Sequence, residues 1–248
     1  MKIWAIADLH LSFGVRDKSM DYFGPAWAGH AEKIAENWRR VITPDDLVLI
    51  AGDISWALKL EEAVPDLLWI HALPGTKVML KGNHDFWWGS LKKIAAVLPP
   101  SIHLIQNNAF HWKDATIGGA RLWDTPEYSY GQFVDFRENP RQNNDPEVQI
   151  QNDLSAQIFE RELQRLEMSL STLRPDAKRR IAMTHYPPIG SDLKPSRASA
   201  ILEKYVDTCV FGHIHNLKAG FDFSGTARGV RYELTACDYL RFHPVCLG

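Results

Sequence analysis

Ten histidines are spread along this 248-residue chain, and five of them stand in short blocks that also hold Asp, Asn and Gly. In order, the blocks read Asp8-Leu9-His10, Gly52-Asp53, Gly82-Asn83-His84-Asp85, Thr184-His185 and Gly212-His213-Ile214-His215. Imidazole and carboxylate are the ordinary ligands of Zn, Mn and Fe, and geometry rather than raw affinity selects among those ions. Asp8 and Asp53 offer carboxylates, Asn83 an amide oxygen that adds no charge, and His10, His185, His213 and His215 ring nitrogens. Together they suffice for two metal ions sharing one bridging ligand. A single Gly-Asp or Thr-His carries no weight, whereas five blocks in one chain gain meaning from their structural context.

That context comes from the runs that precede them. Lys2–Ala7, Leu47–Ala51, Lys77–Leu80, Arg180–Met183 and Thr208–Phe211 are short apolar segments of the length and bounding expected of buried strands. Asp8, Asp53, Asn83, His185 and His213 stand within three residues of their ends. Loops at the carboxyl ends of strands in an α/β sheet aim side chains into one crevice, so these turns are expected to converge. The glycines Gly52, Gly82 and Gly212 sit just before ligands, where a strand must turn sharply.

Helical spacing of apolar residues predicts helices over 30–42, 61–73 and 89–98. Strand alternating with helix points to an α/β architecture. The texture changes at Asp124–Glu147, a polar and proline-bearing stretch that reads as a long loop or partial lid. Asp145-Pro146 then offers a cap and first-turn proline for an amphipathic helix over 147–173, with Leu154, Ile158, Leu163, Leu166, Leu170 and Leu173 as its apolar face. Gly229–Leu234 and Pro244–Leu247 read as late strands. We expect a single domain, 1–248, elaborated by a loop-plus-helix insertion around 124–175.

Composition bounds the rest. A net charge of -2 with no basic run argues against a nucleic-acid surface. No stretch has the roughly 20 apolar residues needed to span a bilayer. Residues 1–7 are interrupted by Asp8 before a signal-peptide core can form, so a cytoplasmic location is expected. The three cysteines, Cys209, Cys237 and Cys246, lack metal-binding spacing and read as packed thiols.

The ordered blocks resemble the signature of the calcineurin-like metallophosphoesterase superfamily, D-x-H, G-D, G-N-H-[DE], H and G-H-x-H, from residue 8 to 215. The resemblance implies a four-layer α-β-β-α sandwich with two mixed sheets and a dinuclear centre of Mn, Fe or Zn at the strand ends. By it, Asp8, His10 and His215 would hold one metal, Asn83, His185 and His213 the other, and Asp53 would bridge them. His84 would be the general acid, oriented by Asp85. Where protein Ser/Thr phosphatases of the superfamily carry G-D-x-V-D-R-G and an arginine before G-N-H, this chain reads Gly52-Asp53-Ile54-Ser55-Trp56 and Lys81. It looks more like the small bacterial-type phosphohydrolases of the group.

The reaction so implied is hydrolysis of a phosphate mono- or diester on a small phosphorylated substrate, with a metal-bridging hydroxide as nucleophile. Two rival readings are a catalytically silent scaffold and a nuclease. Trp56, Trp87, Trp88 and Trp123 lie near the blocks and read first as packing, second as an aromatic wall. Arg16, Lys18 and Arg121 could reach a phosphate oxygen. His30, His71, His103, His111 and His243 have no partner spacing and receive no role.

Overall fold

The architecture is that of a computed structural model, which describes residues 1–15, 18–135 and 148–248, the side chains of 148–153 excepted. Arg16 and the Asp145-Pro146 cap lie outside the described residues.

Each expected strand forms: apolar residues fill both faces of β1 and β2, whereas β10 alternates buried apolar with partly exposed polar residues. In chain order the strands are β1 (Ile3–Ile6), β2 (Leu47–Ile50), β3 (Thr76–Leu80), β4 (Ile102–Ile105), β5 (Phe110–Trp112), β6 (Ala115–Ala120), β7 (Arg179–Thr184), β8 (Thr208–Phe211), β9 (Gly225–Ala227), β10 (Val230–Leu234) and β11 (Val245–Cys246). The helices are α1 (His30–Val41), α2 (Leu60–His71), α3 (Leu91–Ala95), α4 (Val148–Leu170) and α5 (Arg197–Tyr205). One sheet runs β11-β1-β2-β3-β4 and the other β5-β6-β7-β8-β10-β9. Both are mixed: their centres are parallel, and β11, β5 and β9 pair antiparallel at the margins.

Three apolar layers hold the four structural layers apart. Ile3, Leu49, Val78, Ile117, Met183 and Val210 interlock between the sheets. Trp38 and Ile34 of α1 and Leu67 of α2 cover the outer face of the first sheet. Leu166 and Leu170 of α4 and Leu202 of α5 cover the second. This is the expected α-β-β-α sandwich.

Some local expectations need correcting. The helix over 89–98 shrinks to the five residues of α3. On α4 the buried face is Phe159, Leu163, Leu166 and Leu170, and Leu154 is half exposed. Strands β4, β5, β6 and β9 were not legible. Strand β6 (ATIGGA) carries two glycines, poor strand formers by propensity, yet they are required by packing. A Cβ at Gly118 would meet Ser169 Oγ at 3.0 Å, so glycine lets α4 settle onto the sheet. Ser169 then accepts from Gly119 N at 2.8 Å and donates to Asn108 O at 2.6 Å.

Parallel strands β1, β2, β3, β7 and β8 all end on the same rim, three in one sheet and two in the other. The sheets meet there: Ala7 bridges Ala236, and Cys237 N donates to Ala7 O at 3.0 Å. The chain leaving β10 is thereby brought beside the chain leaving β1.

Candidate metal centre

All seven candidate ligands gather at this rim. Asp8, Asp53 and His185 are at most 1% exposed and His10 is 3% exposed, so none is an ordinary surface group. Asp8, His10 and His215 form one cluster within ligand reach. His10 Nε2 lies 3.2 Å from His215 Nε2, which is 3.7 Å from Asp8 Oδ1. In a second cluster, Asn83 Oδ1 lies 2.6 Å from His185 Nε2 and 3.0 Å from His213 Nδ1. Asp53 stands between them, with Oδ2 3.8 Å from His10 Nε2 and Oδ1 3.5 Å from His185 Nε2.

Backbone conformation explains why these turns aim inward. Asp8, His10, Asp53 and His213 all have positive φ, at 60, 46, 50 and 73°. Non-glycine residues seldom take that conformation, and strain of this kind gathers at functional sites. The sharp turn therefore falls largely on the ligands themselves. Gly82 and Gly212 serve a different purpose from the expected one: a Cβ at Gly82 would lie 2.0 Å from Asp53 Oδ1, and one at Gly212 2.4 Å from Asp8 Oδ2. They are glycines because carboxylates occupy the space.

Hydrogen bonds behind the rings settle where lone pairs point. A carbonyl only accepts, so His185 must donate Nδ1–H to Ala51 O at 3.0 Å, leaving the Nε2 lone pair facing Asn83. The Tyr130 hydroxyl donates to Asp124 Oδ1 and hence accepts from His213 Nε2 at 3.0 Å, which leaves the Nδ1 lone pair facing the same amide oxygen. Three acceptors confronting one another at such distances suit a cation between them. His215 likewise donates Nδ1–H to Asp238 Oδ1 at 2.8 Å. His10 Nδ1 is buried without a partner among the described residues, so no competing bond diverts that ring. The donor set and its lone pairs fit two divalent ions.

Titration follows the same geometry. Burial pushes His185 down to about 3, keeping its ring a neutral donor. Burial raises the Asp8 and Asp53 carboxyls. For His215 burial alone would lower the pKa, but the Asp238 and Asp8 carboxylates outweigh it and lift the ring to about 9. In the metal-free protein a proton on His215 thus balances acids that a cation would otherwise balance.

His84 and Asp85, expected to act together, are placed apart. His84 lines the cavity over the centre, its ring 4.5 Å from Trp56 and 5.7 Å from His10, and its backbone N–H donates to Asp53 Oδ1 at 2.8 Å. Asp85 turns away from it. Oδ1 accepts from Ile54 N at 2.9 Å, Ser55 N at 3.1 Å and Trp87 Nε1 at 3.0 Å, while Oδ2 accepts from Gly82 N at 2.8 Å. Its fully buried carboxylate ties the Asp53 loop to the Asn83 loop instead of orienting His84. The family resemblance made Asp85 the partner of His84; the bends and turns of this loop send the two side chains in different directions.

Two residues that sequence reasoning missed hold the ligands: Asp238 behind His215 and Tyr130 behind His213. Neither has local spacing to announce it. Of the tryptophans, Trp56 stacks on His10 at 4.9 Å and lines the cavity together with Trp27, whereas Trp87 and Trp88 are buried. Lys18 Nζ donates to Trp56 O at 3.2 Å, beside the same cavity. The histidines given no role have structural partners, as His30 does in the Leu9 carbonyl at 3.0 Å.

The calcineurin-like phosphoesterase family matches residues 1–217. The chain belongs to that family. Its members hydrolyse phosphoester bonds with a pair of metal ions. A curated relative, the gene 66 protein of Mycobacterium phage D29, is 32% identical over 83 residues, 34% of this chain and 40% of its own length, so the match spans about two fifths of that protein. The calcineurin-like phosphoesterase YfkN of Bacillus subtilis shares the fold at a TM-score of 0.50 and 18% identity, over 96% of this chain and 82% of its own. A 5'-nucleotidase candidate from Staphylococcus aureus does so at 0.51 and 15%, over 94% and 48%. Among the described residues no helix is long and apolar enough to cross a membrane.

Proposed function

We propose that this family member is a metal-dependent phosphoesterase acting on a small phosphorylated substrate. In this reading Asp8, His10 and His215 hold one ion, Asn83, His185 and His213 the other, and Asp53 bridges them. The observation that carries it is Asp53, which turns one oxygen toward each histidine cluster at 3.5 and 3.8 Å. When bound, two divalent ions supply charge to offset the phosphoryl oxygens and a water acidified toward pKa ~7.

The chain's own groups do the rest. His185 and His213 stay neutral donors through Ala51 O and Tyr130 Oη. His84 faces the cavity and supplies a proton or an N–H to the leaving oxygen, help typically worth ~10²–10⁴-fold. Its placement against Trp56 limits water around that ring. Residues 1–248 act as one unit in this proposal, with 124–175 contributing Tyr130 and α4.

Elemental analysis of the purified protein, followed by assays of bis-(p-nitrophenyl) phosphate and p-nitrophenyl phosphate with Mn, Fe, Zn or Co, tests the proposal. Two bound ions and turnover of at least one ester are expected. Hydrolysis of neither under any of these metals would overturn it.

A further inference from the structure

A second cavity of about 320 Å³ opens between the carboxyl ends of β3, β4 and β6 and the side of α4, lined by Lys81, Arg121, Arg161 and Arg165 around Glu162. None of these is a metal ligand, and the cavity over the metal centre is lined by other residues. Its volume is at the lower end of small-molecule sites.

Charge is what sets it apart. Glu162 is 1% exposed, and one of its oxygens, Oε1, receives Arg165 Nη1 at 2.7 Å, Arg121 Nη2 at 3.7 Å and Arg161 Nε at 3.8 Å. Lys81 Nζ enters from β3, donating to Trp88 O at 3.0 Å. Four cations and one carboxylate therefore line this cavity in a chain whose overall charge is -2. Each guanidinium carries five N–H donors, and a single carboxylate oxygen cannot use them. A planar donor fork left unfilled among the described residues matches the oxygens of phosphate. Were the arginines present only to neutralise Glu162, one would suffice.

The cavity also abuts the loops that carry the metal ligands. Lys81 immediately precedes Gly82-Asn83, and Arg121 O accepts from His185 N at 3.1 Å and Tyr186 N at 2.9 Å. An anion here would rest on the far side of two ligand-bearing loops.

We propose that this cavity is a second anion site, built by Lys81, Arg121, Arg161 and Arg165, that takes a phosphate group, either free or at the distal end of the substrate. Two arginines come from α4, whose Glu162 pairs with Arg121 just beyond the end of β6.

Equilibrium dialysis of inorganic phosphate against the metal-loaded full chain tests it. Arg161→Ala/Arg165→Ala should weaken one equivalent of bound phosphate by about tenfold or more, the scale of one or two lost charge-assisted hydrogen bonds. Glu162→Gln, which keeps the shape and removes the opposing charge, should tighten the same equivalent several-fold. Opposite shifts are not expected of a merely structural cluster. KM for a monophosphorylated ester and for one bearing a second, remote phosphate then separates the sources. A rise in the double variant confined to the latter assigns the cavity to the distal end of substrate; weakened phosphate with both KM values unchanged assigns it to a free anion. Phosphate binding identical in wild type and both variants overturns the site. Binding is read without turnover, so a failure of the proposed activity would leave this result standing by itself.

Discussion

Asp238 and His215 form a half-buried pair in which the ring donates Nδ1–H to Oδ1 at 2.8 Å while Oδ2 accepts from Asn216 N at 2.9 Å. One carboxylate fixes the tautomer and plane of a metal-facing histidine together with the backbone that follows it. Asp238 lies beyond the residues matched to the family, 1–217, and reaches the rim because the chain leaving β10 bridges the chain leaving β1 at Ala7 and Ala236. Groups that orient a ligand in this way typically carry 10–100-fold in metal affinity. Asp238→Ala should therefore weaken one of two ions by about that factor in a chelator competition titration. Unchanged affinity would remove Asp238 from this role.

Metal loading should release protons. In the metal-free protein His215 holds its proton up to about 9, and a ligand must give it up. At pH 7 loading is expected to expel at least one proton per chain, and the share from His215 should vanish as the pH rises past about 9. Calorimetry in buffers of different ionisation enthalpy reads this number directly, and a value of zero at pH 7 would contradict it.

His84→Ala should keep both ions and lose about 10²-fold or more on alkyl phosphates, with a smaller loss on p-nitrophenyl esters, whose leaving group needs little acid help. Burial holds His84 below the usual histidine value, despite the opposing charge of Asp53. Turnover that uses its protonated ring should then fall as pH rises through a pKa below 6.5, a limb absent from the variant. Equal losses on both ester classes would exclude the acid role.

For Asp85→Ala the expectation is structural. Four donors lose their acceptor, and each buried orphan costs about 1–3 kcal/mol, which is comparable in sum to the stability of a domain. Low yield, a lowered Tm and loss of both ions should appear together. A variant that kept its Tm and its metals but lost kcat would instead restore Asp85 to the side of His84.

Asp66 offers a pH test remote from turnover. Burial lifts its carboxyl to about 6, although Ser55 Oγ and Phe13 N both donate to it. The unfolded chain releases this proton near 3.8, so the folded state binds more protons between the two values, and stability falls as pH rises from about 4 to 6. A shift of about two units corresponds to roughly 3 kcal/mol. Asp66→Asn should flatten that slope in denaturant titrations at pH 4 and 7. An unaltered slope would show that Asp66 is not its source.

By itself the sequence determined which atoms could meet a metal and where along the chain they stand. Apolar runs such as Leu47–Ile50 declare buried strands through composition alone, and Asp53 follows the end of one. Such signals are local, so they survive without knowledge of the fold. Strand β6 was illegible because its glycines answer to remote neighbours, Gly118 to Ser169 of α4 and Gly119 to Met183 of β7. Only the tertiary structure decided that Asp85 would bind loops and not His84, that Tyr130 and Asp238 would set the lone pairs of His213 and His215, and that Lys81, Arg121 and α4 would enclose positive charge. Each depends on distance and direction between segments remote in sequence, quantities that residue type and spacing do not encode.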